Sequence, residues 1–241
     1  MTRIAILETG HPPEHLKDDF DDYPARFRAL LGEGVPTTRF NVQAGHLPDD
    51  PAAFQGAIVT GSAAGVYDDL PWIPPLVNWL RAARGRTRLL GICFGHQVMA
   101  HAFGGELEKS NQGWGVGLHR YDVTADEPWM HPRARTLAIP VSHQDQVVVQ
   151  PPGSRVIASS AFTPLAGLAW DDAVSFQCHP EFGPDYAAAL VEGRRDRIPE
   201  AVAEQALESL KRPNDRAVLT AWIRAFLLLT PPPTEEGGSG I

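Results

Sequence analysis

The sequence predicts an α/β protein: a three-layer, open and mostly parallel sheet with helices on both faces. Three observations carry this expectation. Short apolar runs alternate with stretches of helical spacing through the first half of the chain. The middle, from Gly113 to Trp170, turns β-rich and is cut by Pro151-Pro152-Gly153. A last apolar run at 173–178 is followed by helical patterns. The 241 residues fit one domain of this kind. A chain of this size buries roughly 70–75% of its unfolded surface.

The elements follow in order. Residues 4–7 read as a first, buried strand, ended by Glu8-Thr9-Gly10. Residues 24–31 have helical spacing, and 38–42 form a second strand. A third strand, 56–60, runs into the small-residue loop Gly61-Ser62-Ala63-Ala64-Gly65. Residues 74–83 predict a helix whose first turn tolerates Pro74 and Pro75. Strand 88–92 leads into Cys93, and a helix continues through 98–103 until Gly104-Gly105 stops it. Within the β-rich middle, 147–149 and 156–158 predict strands of antiparallel hairpins added to the sheet. The last strand, 173–178, is entered from the Asp171-Asp172 turn, and helices follow at 185–192, 200–210 and 215–229. Residues 1–230 are expected as one domain, and 231–241 have the composition of a disordered tail.

Bulk properties exclude several classes. A net charge of −8 argues against a general nucleic-acid binder, which is normally basic. The cluster Arg81, Arg84, Arg86 and Arg88 has no interleaved aromatic residues and reads as a solvated helix end. Two cysteines, Cys93 and Cys178, make no disulfide framework and suit a reducing compartment. The first apolar run is too short for a signal peptide, and no segment approaches the roughly 20 apolar residues of a membrane span. The expected location is the cytoplasm, with no nucleic-acid or membrane partner.

The chemistry centres on Gly91-Ile92-Cys93-Phe94-Gly95-His96-Gln97. An apolar strand runs straight into a cysteine flanked by glycines, and a helix follows, which is the pattern of a nucleophile elbow. The first amides of the helix point at the same spot, and the helix dipole favours negative charge there. Those amides suit a thiolate and an oxyanion. For Cys93 alone, a buried cysteine closing an ordinary strand is the alternative. A second feature turns the reading towards catalysis: the last strand empties into His179-Pro180-Glu181. In open α/β sheets ligands collect at the carboxyl ends of strands. A thiol nucleophile needs a base, and the base needs an orienting group. Pro180 stiffens the turn, and Glu181 is placed to reach back to the imidazole.

Together, Gly91-Ile92-Cys93-Phe94-Gly95-His96-Gln97 and His179-Pro180-Glu181-Phe182 resemble the triad-type, or class I, glutamine amidotransferases. The resemblance runs from the first strand to Phe182 and is nearest to stand-alone proteins similar to the amidotransferase domain of GMP synthetase. It implies their flavodoxin-like fold. It also implies attack of Cys93 on a γ-glutamyl amide, with His179 as base and then acid and Glu181 orienting it. A γ-glutamyl thioester forms, and water releases glutamate. The oxyanion would be held by the Phe94 amide and one amide of the Thr60-Gly61-Ser62 loop. Many members carry Gly-Gly-Pro or Gly-Pro-Gly in that loop, whereas this chain has Gly61-Ser62-Ala63, so Gly61 and Ser62 both stand as candidate donors. Gln97 would help hold the substrate. Val141-Ser142-His143-Gln144-Asp145 resembles the family's Ser-His-x-Asp segment, which would put Ser142 and His143 along the glutamine pocket. His143 ranks second to His179 as base because no Pro-x-acid follows it.

Other motifs carry less. His11-Pro12-Pro13-Glu14-His15 has the letters of an inverted zinc-protease motif, but its prolines keep both histidines off one helical face. His96 and His101 are poorly spaced for a shared metal, and Gly113-Trp114-Gly115-Val116-Gly117 joins no clear strand to a helix. Cys178 points to the face opposite His179 and reads as core. No cofactor or metal is implied. Three functional readings follow: the glutaminase component of a two-chain amidotransferase with a separate synthetase subunit; a free-standing hydrolase of γ-glutamyl compounds, as in similar plant γ-glutamyl peptidases; and a non-catalytic binding or regulatory protein.

Overall fold

The computed structural model describes residues 3–227. The expected tail at 231–241 and the last two positions of the helix expected at 215–229 lie outside the described residues. In chain order the elements are β1 (Ile4–Glu8), α1 (Tyr23–Leu31), β2 (Thr37–Asn41), β3 (Gly56–Val59), α2 (Ile73–Ala83), β4 (Arg88–Ile92), α3 (Phe94–Ala102), β5 (Glu106–Lys109) and β6 (Gly115–Val123). Then come β7 (Thr136–His143), β8 (Asp145–Val149), β9 (Arg155–Ser159), β10 (Gly167–Ala169), β11 (Ala173–Phe176), α4 (Pro184–Glu192), α5 (Glu200–Leu210) and α6 (Arg216–Phe226).

One sheet runs β2-β1-β3-β4-β11-β10-β9-β6-β7. Its first five strands pair in parallel, and the rest extend it antiparallel. Strand β4 lies between β3 and β11, with Val59 level with Gly91 and Phe176 level with Ile92. The chain therefore leaves β3, β4 and β11 at one edge of the sheet, side by side.

Period-2 alternation divides the parallel strands between two cores. Ile4, Ile6, Ile58, Leu90, Ile92, Val174 and Phe176 face α1 and α6, where they meet Phe27, Leu31, Trp222 and Phe226. Ala5, Leu7, Ala57, Val59, Leu89 and Ala173 face α2 and α3, where they meet Leu76, Leu80, Val98 and Met99. Phe27, Trp222 and Phe226 are at most 1% exposed. Burial of an aromatic or aliphatic side chain of this size contributes roughly 1.5–3 kcal/mol. The Asp22 carboxylate caps α1 by accepting from the Ala25 amide at 2.7 Å.

Several boundaries move. Helix α2 begins at Ile73, with Pro74 and Pro75 in its first turn. Helix α3 begins directly after Cys93. The Val141-Ser142-His143 segment is the end of β7. A small second sheet, β5 with β8, was absent from the sequence expectation, because Glu106, Glu108 and Lys109 are exposed and give β5 no apolar pattern. The arginine cluster is spent on ion pairs and a cap. Arg84 meets Asp172 at 2.9 Å, Arg86 meets Asp50 at 2.6 Å, and Arg81 donates to the Ala102 carbonyl at 2.9 Å. Among the described residues no helix is long and apolar enough to cross a membrane.

Candidate active site

Cys93 is the N-cap of α3, with φ 53° and ψ −103°. Among the described residues no other residue except glycine has positive φ. Such a conformation costs of order 1–3 kcal/mol and persists only where its surroundings enforce it. Two glycines provide the enforcement. A Cβ on Gly91 would lie 2.4 Å from the Gly95 carbonyl oxygen, and one on Gly95 would lie 2.2 Å from that of Val59. Without side chains there, α3 seats directly on β3 and β4. The Cys93 amide donates to the Phe176 carbonyl at 2.9 Å, and its own carbonyl accepts from Gln97 at 3.0 Å. The turn is pinned from both sides, and the thiol is delivered to the sheet edge. The Phe94 amide opens α3 and has no intrahelical acceptor to use.

His179 follows β11, and its amide donates to the Pro140 carbonyl at 2.9 Å. Its Nδ1–H donates to Glu181 Oε1 at 2.7 Å. Both residues are buried, at 3% and 5% exposure. With Nδ1 committed to the carboxylate, Nε2 remains for the Cys93 thiol. Burial by itself disfavours an imidazolium here. The Glu181 charge and then the Cys93 sulfur, each with a hydrogen bond, outweigh that and raise the His179 pKa above its ordinary value. The turn from His179 to Glu181 is short because the Phe182 amide donates back to the His179 carbonyl at 3.2 Å.

The loop after β3 closes on the same point. A Cβ on Gly61 would sit 3.1 Å from His179 Cε1 and 3.8 Å from Cys93 Cβ. Thr9, at the end of β1, holds this loop. Its amide donates to Thr60 Oγ1 at 3.0 Å, and its hydroxyl donates to the Thr60 carbonyl at 2.9 Å. The structure therefore gathers Cys93, His179, Glu181, Phe94 and Gly61 at one place. The Ser62 hydroxyl accepts from the Ala64 amide at 3.2 Å, which shapes the next turn.

Gln97 is buried on the first turns of α3 and faces the cleft. Its side-chain Nε2 donates to the Asp145 carbonyl at 2.8 Å and to Gln177 Oε1 at 3.1 Å. Gln177 in turn donates to Cys93 Sγ at 3.6 Å. Gln177 was missed in the sequence because it precedes the histidine within an apolar run. Ser142 and His143 also line the cleft. The Ser142 hydroxyl accepts from Arg194, another residue not singled out from sequence. His143 Nδ1–H donates to the Asp145 carbonyl at 3.2 Å, and its ring lies against Phe162. Burial, then the charges of His119 and His179, push its pKa down to about 3, so it is neutral near pH 7. Among the described residues no carboxylate partners it as Glu181 partners His179. His96 pairs with Ser175 Oγ at 2.8 Å and is pushed down to about 3 by burial, while His101 is exposed. Cys178 sits in the α1/α6 core, where burial pushes its thiol well up. Among the described residues, no group of three or more His, Cys, Asp or Glu side chains is arranged to hold a metal ion.

Cys93 and His179 open into a cleft of about 530 Å³. Its lining includes Tyr67 and Asp68 from the loop after β3, and the Tyr67 hydroxyl donates to Asp145 at 2.8 Å. Lys109, Trp114, Arg194 and Arg197 also line the cleft. The Trp114 indole donates to the Arg197 carbonyl at 2.9 Å, and the Arg194 guanidinium lies 5.7 Å from the Trp114 ring centre. His11 and His15 also reach the cleft.

Comparison with known proteins shows the family. The family model described as glutamine amidotransferase class-I matches residues 28–191. A glutamine amidotransferase-like protein of Schizosaccharomyces pombe is 27% identical over 93% of this chain and 98% of its own length. Gamma-glutamyl peptidase 2 of Arabidopsis thaliana is 26% identical over 88% of this chain and 90% of its own. The glutamine-hydrolyzing GMP synthase of Thermomicrobium roseum is 34% identical over 75% of this chain but 35% of its own. In fold, the chain is similar to a glutamine amidotransferase of Thermotoga maritima (TM-score 0.73, 17% identity, 94% and 96% of the two chains). It is also similar to one of Methylobacillus flagellatus (TM-score 0.72, 24% identity, 94% and 92%). With the family match spanning most of its length, from α1 through the elbow and His179 into α4, the chain belongs to the class I glutamine amidotransferase family, whose chemistry is hydrolysis of a γ-glutamyl amide.

Proposed function

We propose that the protein hydrolyses γ-glutamyl amides through a thioester on Cys93, with Cys93, His179 and Glu181 as the catalytic residues. The observation that carries this reading is the buried His179, hydrogen-bonded to Glu181 at 2.7 Å and set beside the Cys93 thiol at the elbow. Sulfur attacks the γ-carbonyl carbon, and the thiol proton passes to His179. The carbonyl oxygen becomes an oxyanion held by the Phe94 amide and an amide of the Gly61-Ser62 turn. As the C–N bond breaks, His179 gives its proton to the leaving nitrogen. Water then attacks the thioester, its proton passes to His179, and glutamate leaves as sulfur regains a proton. Glu181 stabilises the imidazolium in both halves. Gln97, with the Ser142-His143 strand end, would line the glutamyl site. The free thiols of Cys93 and Cys178 suit the reducing cytoplasm.

The leaving group is read from the cleft. Lys109, Arg194 and Arg197 line the same cleft as the thiol, and these cations suit a leaving amine that bears a carboxylate, as in a γ-glutamyl peptide. A second reading rests on the GMP synthase relative, of whose length the chain matches about a third. There the ammonia from glutamine would pass to a separate synthetase subunit. Release of glutamate from glutamine and from γ-glutamyl dipeptides, with Cys93→Ala as blank, separates the two. The peptidase reading predicts a kcat/KM for dipeptides at least about tenfold above that for glutamine, equivalent to one charge-assisted contact. Cys93-dependent turnover of glutamine alone would overturn it in favour of the subunit.

A further inference from the structure

We propose that Phe182 is a positioning residue for His179: its ring fixes the face of the imidazole, as Glu181 fixes its edge. The two rings are stacked with centroids 3.9 Å apart and planes 4° from parallel. Parallel stacking lays the imidazole over the face of the phenyl ring rather than its edge. A cationic ring over the negative face of a phenyl group is attracted to it. The geometry therefore suits an imidazolium, which is the form His179 must adopt during catalysis.

The Phe182 ring has its own support. It is 2% exposed and packs with Leu16, Tyr23, Tyr186 and Leu190 in a cluster separate from the two cores that flank the sheet. Tyr186 meets it edge-on at 4.7 Å, and Tyr23 meets it at 5.9 Å. Arg26 lies 3.8 Å from the Tyr186 ring centre on the outer side. Aromatic residues of α1 and α4 thus brace the ring that braces the imidazole. This fixes the imidazole in three directions: Glu181 at Nδ1, Phe182 on its face, and the Gly61 turn at Cε1.

The titratable and charged groups around the pair come from several elements. Glu181 and Cys93 face His179 directly. His143 of β7 is nearby and is held neutral by burial. Tyr23 of α1 and Tyr186 of α4 lie behind Phe182, and burial pushes both hydroxyls further up, so they stay protonated. Arg194, after α4, acts on both tyrosines, and Arg216 of α6 acts on Glu181 and donates to the Pro180 carbonyl at 2.8 Å. Loss of the Phe182 face removes support for the imidazolium, and the other groups stay in place.

The inference rests on the hydrolytic reading, and its test keeps the two apart. The full-length chain and its Phe182→Leu and Phe182→Tyr variants are compared on γ-glutamyl p-nitroanilide across neutral and alkaline pH. Alkylation of Cys93 by iodoacetamide is followed in parallel. Phe182→Leu is expected to lower kcat about tenfold with KM within about twofold, and to move the alkaline limb down by about half to one pH unit. Phe182→Tyr keeps the aromatic face and restores both. If the leucine variant does not fold, Phe182→Met takes its place. A loss of kcat with an unmoved limb, or an unchanged kcat, overturns the proposal. If wild-type Cys93 alkylates but releases no product, the hydrolytic reading fails, and the alkylation profile alone decides whether Phe182 holds the imidazolium.

Discussion

Cys93→Ser is expected to lose glutamate release by on the order of 10⁴-fold or more, with the fold intact, because members of such a unit act together. Serine keeps the size, and a hydroxyl group is still present beside His179. What it lacks is the acidity and nucleophilicity of sulfur. The elbow was built around its backbone rather than its side chain. Gly91 and Gly95 let α3 sit on β3 and β4, and the Cys93 amide and carbonyl are both hydrogen-bonded. The serine variant should therefore unfold close to the wild-type midpoint while turnover vanishes. Normal rates from it would remove Cys93 from the mechanism.

Glu181→Gln is expected to lower kcat by about 10²- to 10⁴-fold and to change how the rate depends on pH. Gln keeps an oxygen for Nδ1–H and removes the charge. In the wild type, Glu181 is the largest influence raising the His179 pKa against burial. Without it, the imidazolium loses its proton at lower pH, so the alkaline limb of the rate profile shifts to lower pH. Stability follows the same sign. A raised histidine pKa contributes stability that is fully present below the ordinary value near 6.5 and is lost as pH rises through the raised one. The destabilisation of Glu181→Gln should therefore shrink towards alkaline pH. Cys93 should remain open to alkylation. A variant that fails to fold at any pH would make Glu181 a structural residue instead.

The parts of the site legible in the sequence are local ones. Strand, cysteine and helix start are consecutive from Arg88 to Ala102, and His179 and Glu181 share one turn. Their chemistry is written into neighbouring letters, as is the apolar periodicity that gave the parallel strands. The residues missed act across long separations. Thr9 holds Thr60 from 51 positions away, Gln177 reaches Cys93 from 84, and Arg194 reaches Ser142 from 52. Each is an ordinary polar residue until the sheet order brings the strand ends together. Strand β6 was likewise obscured, because Gly115, Gly117 and the polar His119-Arg120 pair break its apolar pattern. Phe182 stands in the motif itself, but its stack on His179 depends on Tyr23 and Tyr186 behind it.

The most direct test of the account is mass analysis of the Cys93 peptide from a reaction with γ-glutamyl substrate quenched in acid during turnover. A γ-glutamyl adduct on Cys93 is expected, one that disappears once substrate is exhausted and never forms on Cys93→Ala. Steady glutamate release with an unmodified Cys93 peptide, and equal release by Cys93→Ala, would contradict it.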